Sequence, residues 1–269
     1  MKYTGNAGFT HNQADKIGVL ITNLGTPQAP TKGALKPYLK EFLSDPRVVE
    51  VPRLIWWFIL NGIILNIRPK RSAEAYASVW SEQGSPLMVH TKAQAEALAK
   101  RCEREFGDDV IVDFAMRYGE PAVNKVIERM LSNGVRKLLV VPMYPQYSAS
   151  TVGSTFDAIA TDFQQRRWLP DFRFVSHYHD RPGYIKAVAE TIRQHWEING
   201  QAEKLILSYH GVPRRYLDNG DPYHCECLKT SRLIAEELGL ENSQYMTTFQ
   251  SRFGREEWLK PYTDETLKA

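Results

Sequence analysis

Histidine, cysteine and tyrosine are the side chains here whose types and spacing could do chemistry. Of seven histidines, His210 is the best placed: it follows the apolar run Leu205-Ile206-Leu207, precedes Gly211 and leads into Val212-Pro213. A neutral imidazole at a strand end can bind a divalent metal or act as a base near neutral pH. The glycine beside it would let a large, flat ligand approach the backbone. The bland alternative is a loop histidine hydrogen-bonded to a neighbour. His177 and His179 stand two apart, so on an extended strand their rings share a face and could share a metal, although no third ligand is identifiable. His224-Cys225-Glu226-Cys227 offers two thiols and an imidazole. Zinc sites space their cysteines about two to four residues apart and Cys102 is far away, so free thiols are the better reading. Tyr118, Tyr144, Tyr147 and Tyr209 fall where strands are expected to end, and could line a flat apolar ligand or belong to the core.

The elements that must position these residues alternate. Short β-branched runs at 17–24, 109–116, 137–144, 172–178, 204–209 and 244–250 read as strands. Stretches of helical length at 32–43, 91–105, 121–132, 155–167, 182–197 and 227–238 separate them. That pattern predicts an α/β fold with parallel sheets, and such sheets bind ligands at the carboxyl ends of their strands. Trp168-Leu169-Pro170-Asp171 suggests a boundary between two Rossmann-like halves with a cleft between them, a first domain over 1–168 and a second over 169–269. The second half ends oddly. Thr263 could cap a helix starting at Asp264, but the sequence stops a few residues later, in the middle of an element. Neither a Gly-x-Gly-x-x-Gly nor a Walker loop is present, which argues against nucleotide chemistry. No Gly-x-Ser-x-Gly elbow is present either.

Composition excludes further classes. The 269 residues are 43% apolar and 24% charged, as expected of a soluble globular chain rather than a fibrous or disordered one. A net charge of +3 gives no basic face for nucleic acid. Three cysteines make a poor disulfide framework and suit a reducing cytoplasm, and the polar opening residues lack a secretory signal. The stretch Leu54–Ile67, interrupted by Asn61 and Gly62, is 14 residues long, against about 20 for a membrane span. It is expected to be buried, with rest on a membrane surface through Trp56, Trp57 and Phe58 as the second reading.

Taken together, the loops resemble ferrochelatase, the family that inserts ferrous iron into protoporphyrin IX to make protohaem, and the wording is closest to its proteobacterial members. The segment from Leu205 through His210-Gly211-Val212-Pro213 to Gly220-Asp221-Pro222-Tyr223 carries the family signature around its catalytic histidine. Leu24-Gly25-Thr26-Pro27, Phe42 to Arg47, Gly84 to Leu87, Met116-Arg117-Tyr118, Tyr144 to Ser148 and Phe249 to Gly254 agree with it. The resemblance implies two chelatase-type domains, the second incomplete. It places the catalytic and metal-meeting role on His210 and porphyrin-lip contacts on Arg68, Tyr76 and Ser85. Pocket contacts fall on Arg117, Tyr118, Tyr144 and Tyr147, with Leu24 facing the macrocycle. Cationic and hydroxyl groups at the rim would meet the two propionates. Whether the histidine binds metal or accepts a proton is left open by the resemblance.

The chain departs from the family pattern in two places. Ala149 stands where members with an animal-type 2Fe–2S cluster carry a cysteine ligand, which argues against that cluster; no tightly bound cofactor is expected, with Fe2+ as substrate. A second catalytic glutamate of the family lies beyond the Pro261-Tyr262-Thr263-Asp264-Glu265 segment in which this sequence stops, and Glu256, Glu257 and Glu265 match other positions. The alternatives are a porphyrin-binding but catalytically silent module, and a related tetrapyrrole chelatase. The expected address is the cytoplasm, with peripheral contact to the inner membrane as a second possibility.

Overall fold

The structure, a computed structural model, describes residues 3–5, 10 and 12–268. Part of the polar opening segment, and Ala269, lie outside the described residues. The chain divides into two units. One takes in the residues up to Tyr144 together with Ala149–Ser176; the other takes in Pro145–Ser148 together with the residues from His177 onward.

In the first unit the chain forms β1 (Lys16–Gly25), α1 (Lys32–Ser44), α2 (Arg53–Ile59), a π-helical turn (Leu60–Ile64), α3 (Leu65–Ala77) and α4 (Pro86–Phe106). These are followed by β2 (Val110–Tyr118), α5 (Val123–Ser132), β3 (Val135–Pro142), α6 (Ser154–Phe163) and β4 (Asp171–Phe174). The four strands make one parallel sheet in the order β2-β1-β3-β4, and Leu20 of β1 lies in register with Asp113 and Val140. On one face, α5 turns Val123, Val126, Ile127, Met130 and Leu131 onto Leu20, Ala115, Leu138 and Val140, an apolar stripe at helical spacing. In a second cluster, Leu35, Tyr38, Leu39 and Leu43 of α1 pack with Leu60, Leu65 and Tyr118. Each such aliphatic side chain contributes about 1.5–3 kcal/mol when fully buried.

Several sequence expectations change here. The helix expected from Thr91 starts at Pro86, because Ser85 caps it: the Ser85 hydroxyl oxygen accepts from the Met88 N–H at 3.2 Å. The strand expected to reach Tyr178 stops at Phe174, and the backbone makes one further bond, Val175 N–H to Val140 C=O at 3.0 Å. That strand pairs with β3, so Asp171 continues the first unit's sheet, and residues 169–176 fall with the first unit while Pro145–Ser148 fall with the second. The segment expected to be buried is split by face. Leu60 and Leu65 are 2% exposed, while Trp57 is 58% and Phe58 62% exposed. Trp56 is anchored by its indole N–H on the Leu43 carbonyl at 2.6 Å. Among the described residues no helix is long and apolar enough to cross a membrane.

The second unit contains α7 (Pro182–Asn199), β5 (Leu205–His210), α8 (Arg214–Asp218), α9 (Tyr223–Leu238), β6 (Tyr245–Gln250) and α10 (Thr263–Thr266). β5 and β6 are parallel, paired from Leu205–Tyr245 to His210–Gln250. Val212, Tyr216, Cys227, Phe249 and Leu259 form its core. The expected cap at Thr263 is not one: the residue lies inside α10, and its hydroxyl donates to the Thr248 hydroxyl at 2.9 Å.

Candidate functional site

The parallel sheet of the first unit brings several predicted residues to one edge. Leu24 lies one residue before the end of β1, Arg117 and Tyr118 end β2, and Tyr144 follows β3; Gly25 is in register with Tyr118, and the Met143 N–H bonds the Thr22 carbonyl at 2.7 Å. Only glycine serves at position 25. Its φ is +109°, and a Cβ would lie 1.8 Å from the Tyr118 carbonyl oxygen. Leu24 is half-buried against the cluster that contains Leu35 and Tyr38.

Arg117 and Tyr118 are held from behind by Asp45, which is 6% exposed. One Asp45 oxygen accepts from the Arg117 guanidinium at 2.6 Å, the Tyr118 hydroxyl at 2.8 Å and the Ser154 hydroxyl at 2.6 Å. The other accepts from the Arg47 N–H at 2.8 Å. Burial alone would raise the Asp45 pKa, but these hydrogen bonds and the Arg117 charge hold it below the ordinary carboxylate value. The Tyr118 ring is 0% exposed, with the Arg117 guanidinium over its face at 4.4 Å. Tyr118, expected to contact a ligand, is a fully enclosed ring whose hydroxyl bonds Asp45 and whose face backs Arg117. Tyr144 is half-buried; its hydroxyl is enclosed without a hydrogen-bond partner, and burial raises its pKa.

The expected rim residues of this unit differ in kind. Arg68 is exposed on α3, and Tyr76, one residue from the end of that helix, is half-buried with its ring edge-on to Tyr38 at 6.4 Å. Ser85 is 3% exposed, and its oxygen serves as the cap of α4.

In the second unit, His210 ends β5 with an exposed side chain. Its pKa is nonetheless lowered, because surrounding protein disfavours the imidazolium. The His210 carbonyl accepts from the Tyr223 hydroxyl at 2.9 Å. Gly211 does not open room for a ligand, as the sequence suggested. Its N–H bonds the Gln250 carbonyl at 2.7 Å, and a Cβ would stand 2.9 Å from that same oxygen, so the missing side chain admits β6.

The segment Pro145–Ser148 is stitched into this unit. The Pro145 carbonyl accepts from Tyr178 N–H at 2.9 Å, and the Gln146 amide donates to Thr230 at 3.0 Å. The Tyr147 N–H donates to Glu226 at 2.7 Å, and Ser148 bonds Asp221 at 3.3 Å. Tyr147 itself is half-buried. Cys225 is exposed and Cys227 buried, about 200° apart around α9, and burial pushes the Cys227 thiol up. Glu256 pairs with Arg215, Glu257 with Lys260 and Glu265 with Arg252.

Two functional candidates were missed by the sequence. Asp45 reads there only as a helix stop before Pro46, and nothing local links it to Arg117, 72 positions away. Glu226 is hidden between two cysteines; the signal that could have found it is the helical spacing of Tyr223, Glu226 and Cys227 behind the Gly-Asp-Pro turn, which turns Glu226 inward.

Over residues 16–269 the chain matches the ferrochelatase family. It is 67% identical over 269 residues to the ferrochelatase of Idiomarina loihiensis, a match covering 100% of this chain and 74% of that protein. It is 66% identical to the ferrochelatase of Pseudoalteromonas atlantica, covering 75% of that protein, and 66% identical to that of Marinobacter nauticus, covering 73%. Among solved structures it is similar to CbiX, the terminal enzyme for biosynthesis of sirohaem in denitrifying bacteria, with a TM-score of 0.44 and 14% identity over 86% of this chain and 68% of that one.

Proposed function

Because the chain belongs to the ferrochelatase family, we propose that it inserts Fe2+ into protoporphyrin IX to give protohaem, with His210 at the reacting centre. The reaction removes two inner N–H protons as one Fe2+ enters, so its balance is porphyrin plus Fe2+ going to haem plus two protons. The carrying observation is the exposed imidazole at the end of β5 with a pKa below its ordinary value. Such a ring is neutral at pH 7 and has a lone pair ready for a pyrrole proton.

The other residues divide by what their chemistry suits. Arg68 and Tyr76 offer the guanidinium and hydroxyl that the propionates require, while Ser85, enclosed with its oxygen on the Met88 N–H, caps α4. Leu24, Tyr144 and Tyr147 each carry the apolar surface that a macrocycle requires, and the partnerless Tyr144 hydroxyl adds a donor. Arg117 is held by Asp45 and backed by Tyr118, so its charge is fixed in place before substrate arrives, which lowers the cost of binding. The four-stranded and two-stranded parallel sheets are read as chelatase-type halves. The exposed apolar edge at Leu54, Ile55, Trp57 and Phe58 suits peripheral contact with the cytoplasmic face of a membrane, where a hydrophobic porphyrin partitions.

The test is a protoporphyrin titration followed by anaerobic addition of Fe2+ or Zn2+, read by the visible spectrum. Conversion to the metalloporphyrin is expected, and His210→Ala should lower the rate about 100-fold or more while porphyrin still binds. Activity within about tenfold of the parent in that variant would reject His210 as the reacting group. Porphyrin binding without metal insertion by the unaltered chain would favour the silent binding module.

A further inference from the structure

Away from His210, the second unit holds a convergence of donors that the proposed reaction does not use. His177 and His179, on the segment after β4, and Glu226, on the first turn of α9, place one ring nitrogen each and a carboxylate oxygen within 4.8 Å of one another. His177 Nδ1 lies 2.7 Å from Glu226 Oε1, and His179 Nδ1 lies 3.4 Å from Glu226 Oε2. The second of these contacts is not a hydrogen bond. His179 is 6% exposed, and its Nδ1 is enclosed without any hydrogen-bond partner, a state that is costly unless something takes the lone pair.

We propose that His177, His179 and Glu226 form a binding site for a divalent first-row transition metal such as Zn2+ or Fe2+. Two imidazoles and one carboxylate are the donor set such ions accept with a position left open. Donors held about 2.1 Å from a tetrahedral ion stand about 3.4 Å apart, the separation already present between His179 and Glu226. The metal takes the place of the proton between His177 and Glu226 and satisfies the orphaned nitrogen of His179.

The surroundings fit this use. Glu226 Oε2 is oriented by the Tyr147 N–H at 2.7 Å. His179 Nε2 faces Asp180 Oδ2 at 4.0 Å, and Asp180 is itself held by Lys229 at 2.6 Å. A carboxylate behind the far nitrogen favours the tautomer whose Nδ1 lone pair faces the metal. His177 is exposed and provides the entry path. Metal bound here would clip the start of the second unit to α9 and to the Tyr147 segment. The proposal does not depend on the role given to His210.

Co2+ titration of the metal-free, porphyrin-free chain tests it, read by the visible bands of cobalt, with Zn2+ as competitor. One equivalent is expected to bind here, with the dissociation constant raised about tenfold or more in His177→Ala, whose exposed site spares the fold, and in Glu226→Gln. Far-ultraviolet circular dichroism and thermal melts establish that each variant is folded. His210→Ala should keep this binding. Unchanged affinity in folded His177→Ala, loss of all binding in His210→Ala, a thiolate-to-cobalt charge-transfer band from Cys225, or no stoichiometric binding would each overturn the proposal.

Discussion

Asp45→Asn changes one atom type in a buried network and should unbalance it. The carboxylate accepts four hydrogen bonds, from Arg117, Tyr118, Ser154 and the Arg47 amide, at 2.6–2.8 Å. Its side chain is 4% exposed and that of Arg117 17%, so water screens the pair poorly. The amide keeps the shape but removes the charge and turns one acceptor into a donor facing other donors. Leaving Arg117 with an uncompensated partner in such a setting costs about 3–5 kcal/mol. Urea unfolding at pH 7 followed by circular dichroism reads this as a shift of the first unit's transition. The dependence on pH gives a second readout. The folded pKa of Asp45 lies below its ordinary value, so the stabilisation is complete above about pH 3.9 and lost as pH falls through the folded pKa. The parent should therefore lose this increment in acid, whereas Asp45→Asn should lack it at every pH. A variant within about 1 kcal/mol of the parent at pH 7 would refute the idea that Asp45 organises Arg117 and Tyr118.

Three further outcomes are expected. The lowered pKa of His210 predicts that the acid limb of kcat/KM for metal insertion lies below about pH 6.5; a limb above that value would contradict a neutral imidazole base. Gly25→Ala should fail to fold or lose about 3 kcal/mol or more, since its Cβ would overlap the Tyr118 carbonyl; a parent-like thermal midpoint would refute the close approach of β1 to β2. Trp57→Glu with Phe58→Glu should leave stability within about 0.5 kcal/mol per residue but abolish cosedimentation with anionic vesicles; retained binding would remove this edge as the membrane contact.

The strands were legible because each is an apolar, β-branched run bounded by turn residues, and all six formed close to where those runs lie. Helix boundaries moved where a cap decided them, as Ser85 did for α4. The end of β4 was not legible: Val175 to Tyr178 keeps strand-like residues, yet partners stop at Val140, and a strand lasts only while a neighbour does. His210 at a strand end was readable from local pattern. The contacts that hold the candidate residues of each unit were not, because they join distant positions: Asp45 with Arg117 in the first, Tyr147 with Glu226 and Gly211 with Gln250 in the second. The glycine after His210 shows how a residue type can be right and its reason wrong. Space was needed there, but for the neighbouring strand.

The π-helical turn at Leu60–Ile64 carries a consequence of its own. Residues five apart on an α-helix diverge by about 140°, yet Leu60 and Leu65 both point into the first unit's core. The Leu65 N–H bonds the Leu60 carbonyl, an i to i+5 link that takes up one extra residue and stacks the two leucines on a single face. The turn thus acts as a phase corrector. Removing one residue, Gly62 for instance, would restore regular pitch with the two leucines four apart, about 40° from each other, so α3 should keep its phase relative to α2. Regular α pitch with every residue kept would instead swing α3 by about 100°, carry Leu65 out of the core, and break the alignment between the wet face bearing Trp57 and Phe58 and the helix bearing Arg68 and Tyr76.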